Sequence, residues 1–272
     1  AIITKIMNSQ NLNSNGIIHV LCDFSVESPD YTVTQARLAR NFPNHRAVIS
    51  PQPFKKGHIL GQSVFLQLVV PEFPEGSVHI CRVGTMSRMA PRFVLARWNG
   101  SFFLAPDNGL LPLYFNNDDI VYYNINPSGY QVTDAMSQIY IPALQRLMDS
   151  NFEIDGVFEI KEMMVRSAPP TPTLSNNVMN LTVLYNDYYG NAYLNINRST
   201  FEEVGQGRSF RLRISHSMEI KQLSNGYNDV MEGMELCLFG YGDIMQVAVN
   251  AGSAVQYLSL TEGRNILLEF AP

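Results

Sequence analysis

The chain has 272 residues, 46% of them hydrophobic, with 19 basic against 24 acidic side chains and a net charge of −5. That length predicts two domains rather than one core, and mild acidity spread without blocks of one sign argues against a nucleic-acid or anionic-membrane partner. No apolar run approaches the roughly 20 residues that span a bilayer, and residues 1–16, with Asn8, Asn11, Asn13 and Asn15, lack a signal-peptide hydrophobic segment. The chain therefore reads as soluble and cytoplasmic.

In chain order, an apolar run over 17–23 ending in Asp23 predicts a strand, and residues 30–40 predict a helix opened by Asp30. A short strand over 47–49 leads through a Pro-rich loop to an amphipathic stretch in which Val64, Phe65, Leu68 and Val69 share a face. A strand follows over 78–83. Residues 92–97 and 102–105, joined by Trp98-Asn99-Gly100-Ser101, predict a hairpin with Asn-Gly as its turn. Over 134–149, Ile141, Leu144, Leu147 and Met148 recur at helical spacing. Strands alternating with helices predict an α/β N-terminal domain over residues 1–166.

Ser167-Ala168-Pro169-Pro170-Thr171-Pro172 breaks this pattern, because each proline fixes φ and removes a backbone donor. It marks an extended linker over 167–178. Beyond it, strands over 181–185, 192–196, 209–214, 235–239, 244–249 and 266–270 recur with turn residues between them and no intervening helix. This predicts a smaller all-β, barrel-like C-terminal domain over 179–272. Cys22, Cys81 and Cys237 each fall in a predicted strand without metal-like spacing and read as buried thiols. Of five histidines, His19 and His79 lie in apolar strands and read as core residues, so no metal site is predicted.

No phosphate loop, dinucleotide fingerprint, zinc-protease motif or nucleophile elbow occurs. Asp23 stands at the carboxyl end of the first strand, where open α/β sheets bind ligands. It reads either as an acceptor for a ribose diol or as a capping or turn aspartate. Ala105-Pro106-Asp107-Asn108-Gly109-Leu110-Leu111 reads as a turn, and Asp187-Tyr188-Tyr189-Gly190-Asn191 as a hairpin-like turn whose side chains could as easily be structural as ligand-facing.

Taken in order, these segments resemble the S-adenosyl-L-methionine hydroxide adenosyltransferases, a family that also holds the fluorinases and chlorinases. Cys22-Asp23-Phe24-Ser25 with Asp30-Tyr31 is similar to the family's Thr-Asp-Phe-Gly start. Phe73-Pro74-Glu75-Gly76-Ser77-Val78-His79 resembles Phe-Pro-x-Gly-Thr-Val-His, and residues 105–111 match Ala-Pro-Asp-Asn-Gly-Leu-Leu unchanged. Tyr189-Gly190-Asn191 with Asn195-Ile196 resembles Phe-Gly-Asn-x-x-Thr-Asn-Ile, and Ala248-Val249-Asn250-Ala251-Gly252 resembles the segment along the adenine. The resemblance implies a homotrimer with each adenosyl ligand between the first domain of one chain and the second domain of its neighbour. S-adenosylmethionine would be substrate or ligand, with no separate cofactor, and the reaction would give adenosine and methionine from S-adenosylmethionine and water. Asp23 would hold the ribose hydroxyls and Asp30 the methionine ammonium. Asn191, with Tyr189 stacking and backbone groups at Val249 and Ala251, would read the adenine, and Tyr241 to Asp243 would lie near the amino-acid end.

The resemblance also exposes a departure. In hydrolytic members Asp-Pro-Gly-Val-Gly-Thr-x-Arg supplies an aspartate and an arginine, and Phe-His-Gly-Arg-Asp a histidine, for the attacking water. Anchored on Val83-Gly84-Thr85, these positions are Ile80 and Ser87 here; anchored on Ile139-Tyr140-Ile141-Pro142-Ala143, the histidine position is Ala135. Arg82, Arg88 and His58 are the candidates for a replacement. Without one, the implied alternative is a nucleoside-binding protein that has lost the reaction.

Overall fold

The computed structural model describes residues 16–52, 54, 58–84, 92–126 and 132–272. Ser87 and Arg88 lie outside the described residues. The fold is mixed α/β with two sheets, and the chain divides into two compact units: residues up to Ser63 with Pro71–Ala168, and Val64–Val70 with Pro169–Pro272.

The first unit is built on a seven-stranded sheet from β1 (Ile18–Cys22), β2 (Ala47–Pro51), β3 (Val78–Arg82), β4 (Phe93–Trp98), β5 (Ser101–Pro106), β6 (Tyr122–Asn124) and β7 (Glu159–Ile160), in the order β2-β1-β3-β5-β4-β6-β7. β1 pairs in parallel with β2 and β3, and β3 with β5. The remaining pairs are antiparallel. β1 and β5 are buried along their whole length, as central strands covered on both faces must be. The turn between β4 and β5 is the expected Asn99-Gly100, with φ of 45° and 74°, the double positive φ that matches the twist of a hairpin.

Helix α1 (Pro29–Asn41) is capped not by Asp30 but by Ser28, whose side chain accepts from Asp30 N–H; Asp30 is thereby placed in the first turn, where a carboxylate faces the positive end of the helix. Helix α2 (Ile59–Val69) departs from the expected amphipathic face. Gln62, Ser63, Val64, Leu66 and Leu68 are all buried, the pattern of a helix enclosed nearly all round. A short helix α3 (Leu110–Phe115) follows the β5 turn. The predicted helix over 134–149 divides into a π-helical turn, Met136–Tyr140, and α4 (Ile141–Asp149). Tyr140 is fully buried and its hydroxyl donates to the Cys81 carbonyl at 2.9 Å, tying that turn to β3.

His19 and His79 are the core histidines expected, side by side on β1 and β3 with Nδ1 atoms 3.0 Å apart. His19 Nε2 lies 3.0 Å from Ser50 Oγ, and His79 stacks on Phe103 at 4.8 Å. One ring must donate and the other accept, so the contact requires at least one neutral imidazole. Burial pulls His19 down to about 4; burial and then the neighbouring His19 pull His79 to about 3. Unfolded histidines take up protons near pH 6.5 while the folded pair refuses them, so stability is intact above that pH and lost as pH falls through about 4. We expect a loss on the order of 2 kcal/mol per histidine by pH 5. Urea unfolding at pH 7 and pH 5 checks this, with His79→Phe narrowing the difference; equal stability at the two pH values would contradict it.

The second unit carries an eight-stranded sheet. Its strands are β8 (Thr173–Ser175), β9 (Val178–Asn186), β10 (Ala192–Asn197), β11 (Phe210–Ser215), β12 (Met218–Ile220), β13 (Glu235–Phe239), β14 (Ile244–Val249) and β15 (Asn265–Phe270). The order is β12-β11-β15-β9-β10-β14-β13, with β8 paired to β9. Leu223, just past β12, bridges to Cys237 on β13, so the sheet nearly closes into a barrel. Its interior is packed by Leu181, Leu194, Leu212, Met245, Val247 and Leu268.

Two expectations need correction in this unit. It is not free of helix: α5 (Arg198–Gly205) and α6 (Ala254–Leu258) interrupt the strands, capped by Asn197 and Ser253. Also, the end of the proline-rich segment is not merely a connector, because β8 turns through Asn176, at φ 54°, onto β9. Asparagine tolerates that left-handed conformation. The three cysteines are unpaired and buried, as expected.

Candidate functional site

Two groups of predicted residues are assembled, one in each unit. In the first, Asp23 leaves the end of β1 and its Oδ2 accepts the Gly84 backbone N–H. A Cβ at Gly84 would come within 2.8 Å of that oxygen, so a side chain there would push the Asp23 carboxylate off the Gly84 N–H. Asp23 is half-buried, and among the described residues its second oxygen accepts no hydrogen bond. Cys22 and Arg82 are partners in the β1–β3 register, so Arg82 ends the neighbouring parallel strand beside Asp23. This is the crevice beyond the strand ends where α/β sheets hold ligands. Arg82 Nη2 donates to Asp30 Oδ1 at 3.0 Å, Nη1 to Thr34 Oγ1 at 3.3 Å, and its guanidinium lies 4.8 Å from the Phe24 ring centroid. Asp23, Asp30 and Arg82 thus form one strand-end cluster.

Of the positions aligned with the water-handling groups, Ile80 and Ala135 are apolar. Ile80 is fully buried in the sheet core, and Ala135 packs against the same core just before the π-helical turn. Of the proposed replacements, Arg82 stands in the cluster. His58 precedes α2, and its carbonyl accepts from Gln62 N–H at 3.4 Å.

In the second unit, Tyr189, Asn191, Val249 and Ala251 line one cavity of about 540 Å³, with Tyr227, Ser253, Gln256 and Tyr257, a volume in the range of small-molecule sites. Asn191 is buried and held at two points: its backbone N–H donates to Asp187 Oδ1 and its Nδ2 to Asp187 Oδ2, both at 2.9 Å. The amide is thereby oriented, with Oδ1 left as its acceptor. Tyr193 also donates to Asp187 Oδ2, at 3.4 Å, and burial followed by Asp187's charge raises its hydroxyl pKa, so it remains a donor. Gly190, at φ 80°, accepts from Val255 N–H at 3.0 Å, which stitches the turn to α6. A Cβ there would meet the capping Ser253 Oγ at 2.1 Å. Val249 accepts from Gly252 N–H, and Ala251 sits at φ 54°. Tyr189 is three-quarters exposed, with a ring face open for stacking.

Tyr241 and Asp243 do not line this cavity. They form a single 3₁₀ turn, Tyr241–Asp243, and Asp243 is bound to Arg198 at 3.0 Å. A slightly larger cavity, about 580 Å³ in the first unit, is lined by Asn124, Gln138 and Arg146, but it holds no predicted site residue and Arg146 is engaged there by the Val157 carbonyl. Among the described residues no group of three side chains could hold a metal ion.

Sequence reasoning did not single out Asp187, Tyr227, Gln256 or Tyr257 as site residues. Asp187 had a signal, standing four residues before Asn191 in a turn that an aspartate side chain can close. The two tyrosines and Gln256 had none.

The fold is that of a mixed α/β protein with two sheets, and comparison with known proteins gives its family. The N-terminal domain of the SAM hydroxide adenosyltransferases matches residues 18–156, and their C-terminal domain matches residues 181–267. The chain belongs to this family. It is 26% identical over 275 residues to an (R)-S-adenosyl-L-methionine hydrolase of Thermus thermophilus, covering 92% of this chain and 98% of the relative. An uncharacterized conserved protein from Thermotoga maritima shares the fold at a TM-score of 0.80, with 20% identity over 93% of this chain and 99% of that one. A conserved hypothetical protein from Thermus thermophilus does so at 0.69, with 22% identity over 94% and 100%.

Proposed function

We propose that this protein binds S-adenosyl-L-methionine and converts it with water to adenosine and methionine. The observation that carries the reading is the pinned Asn191 amide, whose remaining acceptor suits the exocyclic amine of adenine, beside the open ring of Tyr189. Asp23, with one oxygen that accepts no hydrogen bond among the described residues, supplies the acceptor for the ribose hydroxyls. We place the two halves in one site by making the protein a homotrimer, with the Asp23 cluster of one protomer facing the Asn191 cavity of the next. Tyr241 to Asp243 would border the amino-acid end of that shared site. The three buried thiols support a reducing, cytoplasmic setting.

In the reaction, a water oxygen attacks C5′, the C5′–sulfur bond breaks, and the water gives up a proton. The sulfonium is its own activated leaving group, since methionine departs as a neutral thioether; the displacement calls for no cofactor. With Ile80 and Ala135 where a base would stand, positioning of the water carries the rate. A placed base contributes roughly 10² to 10⁴-fold, so turnover is expected to be slower than in members with the full set by about that factor. Purified protein incubated with labelled S-adenosylmethionine should release adenosine and methionine in equal amounts. No adenosine above the buffer control rejects the reaction, and heat from adenosine in calorimetry without product would leave a binding protein.

A further inference from the structure

The strand-end cluster contains a charge that the proposed reaction does not use. In the aligned motif, Arg82 stands where the family pattern has glycine, so this guanidinium is a departure of this chain from that pattern. It is held on three sides: by Asp30 at 3.0 Å, by Thr34 Oγ1 at 3.3 Å and by the Phe24 ring at 4.8 Å. Thr34 is itself fixed, donating to the Asp30 carbonyl at 2.6 Å. The contact with Asp30 is a single N–H···O bond rather than the two-pronged fork that arginine and carboxylate form when the pair is an end in itself. Asp30 Oδ2 accepts only a long bond from Ser28 Oγ, at 3.3 Å, so among the described residues that oxygen keeps acceptor capacity, and further guanidinium N–H groups remain, for a third party. Asp30's side chain is 57% exposed and Arg82's 20%, so the pair is anchored from below and open on the carboxylate side.

An adjacent anion and cation, both fixed, are complementary to an adjacent cation and anion, which is what the α-carbon of an amino acid carries. We propose that Arg82 binds the α-carboxylate of the ligand's methionine moiety while Asp30 takes its α-ammonium, making Arg82 a specificity residue for zwitterionic over decarboxylated adenosyl sulfonium compounds. This rests on the adenosyl reading of the site. It also accounts for the occupied state of Asp30: the ammonium joins Ser28 on Oδ2 instead of displacing Arg82, and the carboxylate meets the guanidinium beside it. A charge-assisted bond of this kind, desolvated by the bound ligand, discriminates strongly against a ligand lacking its partner.

The test uses the full chain and its Arg82→Met variant, with affinities measured by calorimetry for S-adenosylmethionine, its analogue lacking the α-carboxylate, and adenosine. The wild-type protein should prefer S-adenosylmethionine to the decarboxylated compound by at least about tenfold. The variant should lose that preference, weakening for S-adenosylmethionine by about ten- to a hundredfold while its affinity for the other two stays unchanged. Unchanged adenosine binding also shows the variant to be folded. Equal preference in both proteins, or weakening for all three ligands alike, overturns the assignment and leaves Arg82 a structural partner of Asp30. Wild-type protein that binds none of the three overturns the adenosyl reading itself.

Discussion

Asn191→Asp is expected to abolish adenosine binding and to destabilise the second unit by on the order of 3 kcal/mol at neutral pH, although the two side chains have the same shape. The amide Nδ2 lies 2.9 Å from Asp187 Oδ2 in a buried setting. The substitution replaces that donor with an acceptor of like charge, and two carboxylates so close cannot both ionise; one must retain its proton. Its folded pKa is then raised above the unfolded value, so the penalty is present at neutral pH and relieved as pH falls towards the carboxylate range. Urea unfolding at pH 7 and pH 5 should show the deficit shrinking, after allowance for the histidine effect measured in the wild type. A variant as stable as wild type at pH 7 would mean that Asp187 does not hold Asn191.

The second large effect concerns Asp107, in the segment that matches the family motif unchanged. Its carboxylate is wholly buried, 3.3 Å from Lys161 Nζ and 3.5 Å from Arg92, and its Oδ1 accepts from Val165 N–H at 2.9 Å. Lys161 is itself only 8% exposed. Asp107→Ala strands a buried ammonium and an unpaired N–H, and should destabilise the first unit by about 3–5 kcal/mol. Replacing both partners, as in Asp107→Leu with Lys161→Met, should recover much of that loss, because a buried ion pair exchanged for apolar groups is often close to neutral. Denaturant midpoints of the three variants decide it; a single variant within about 1 kcal/mol of wild type would contradict the tether.

That aspartate shows where sequence reading stops. Its segment is a turn by composition, as Pro106 and Asn108-Gly109 indicate, but its partner lies 54 residues away and follows β7, a strand of two residues. The same holds for Arg82 and Asp30, 52 residues apart. Local periodicity carries no trace of such contacts. By contrast, β13 and β14 fall on the predicted residues, and the Asn99-Gly100 turn is where its dipeptide places it. Elements of this kind are dictated by alternation and turn chemistry within a few residues. The helices α5 and α6 escaped because eight and five residues are too few to show a helical period. In α2 the opposite happened: apolar residues all round suggested one face, where the fold encloses several. In the second cavity, Asn191 and Tyr189 were legible through the family motif. Tyr227, on a 3₁₀ turn, and Tyr257, on α6, reach the same cavity from other elements and were not.

In the proposed site, Asp23 and Asn191 serve one nucleoside from two different protomers. Asp23→Ala and Asn191→Ala should each fail to bind adenosine as pure proteins. Unfolded together and refolded as a mixture, they should regain on the order of a quarter of the wild-type sites by calorimetric stoichiometry, because random cyclic assembly sets an intact half from one variant against an intact half from the other. A mixture that binds no more adenosine than either variant alone, with wild-type protein recovering fully under the same treatment, would contradict the shared site.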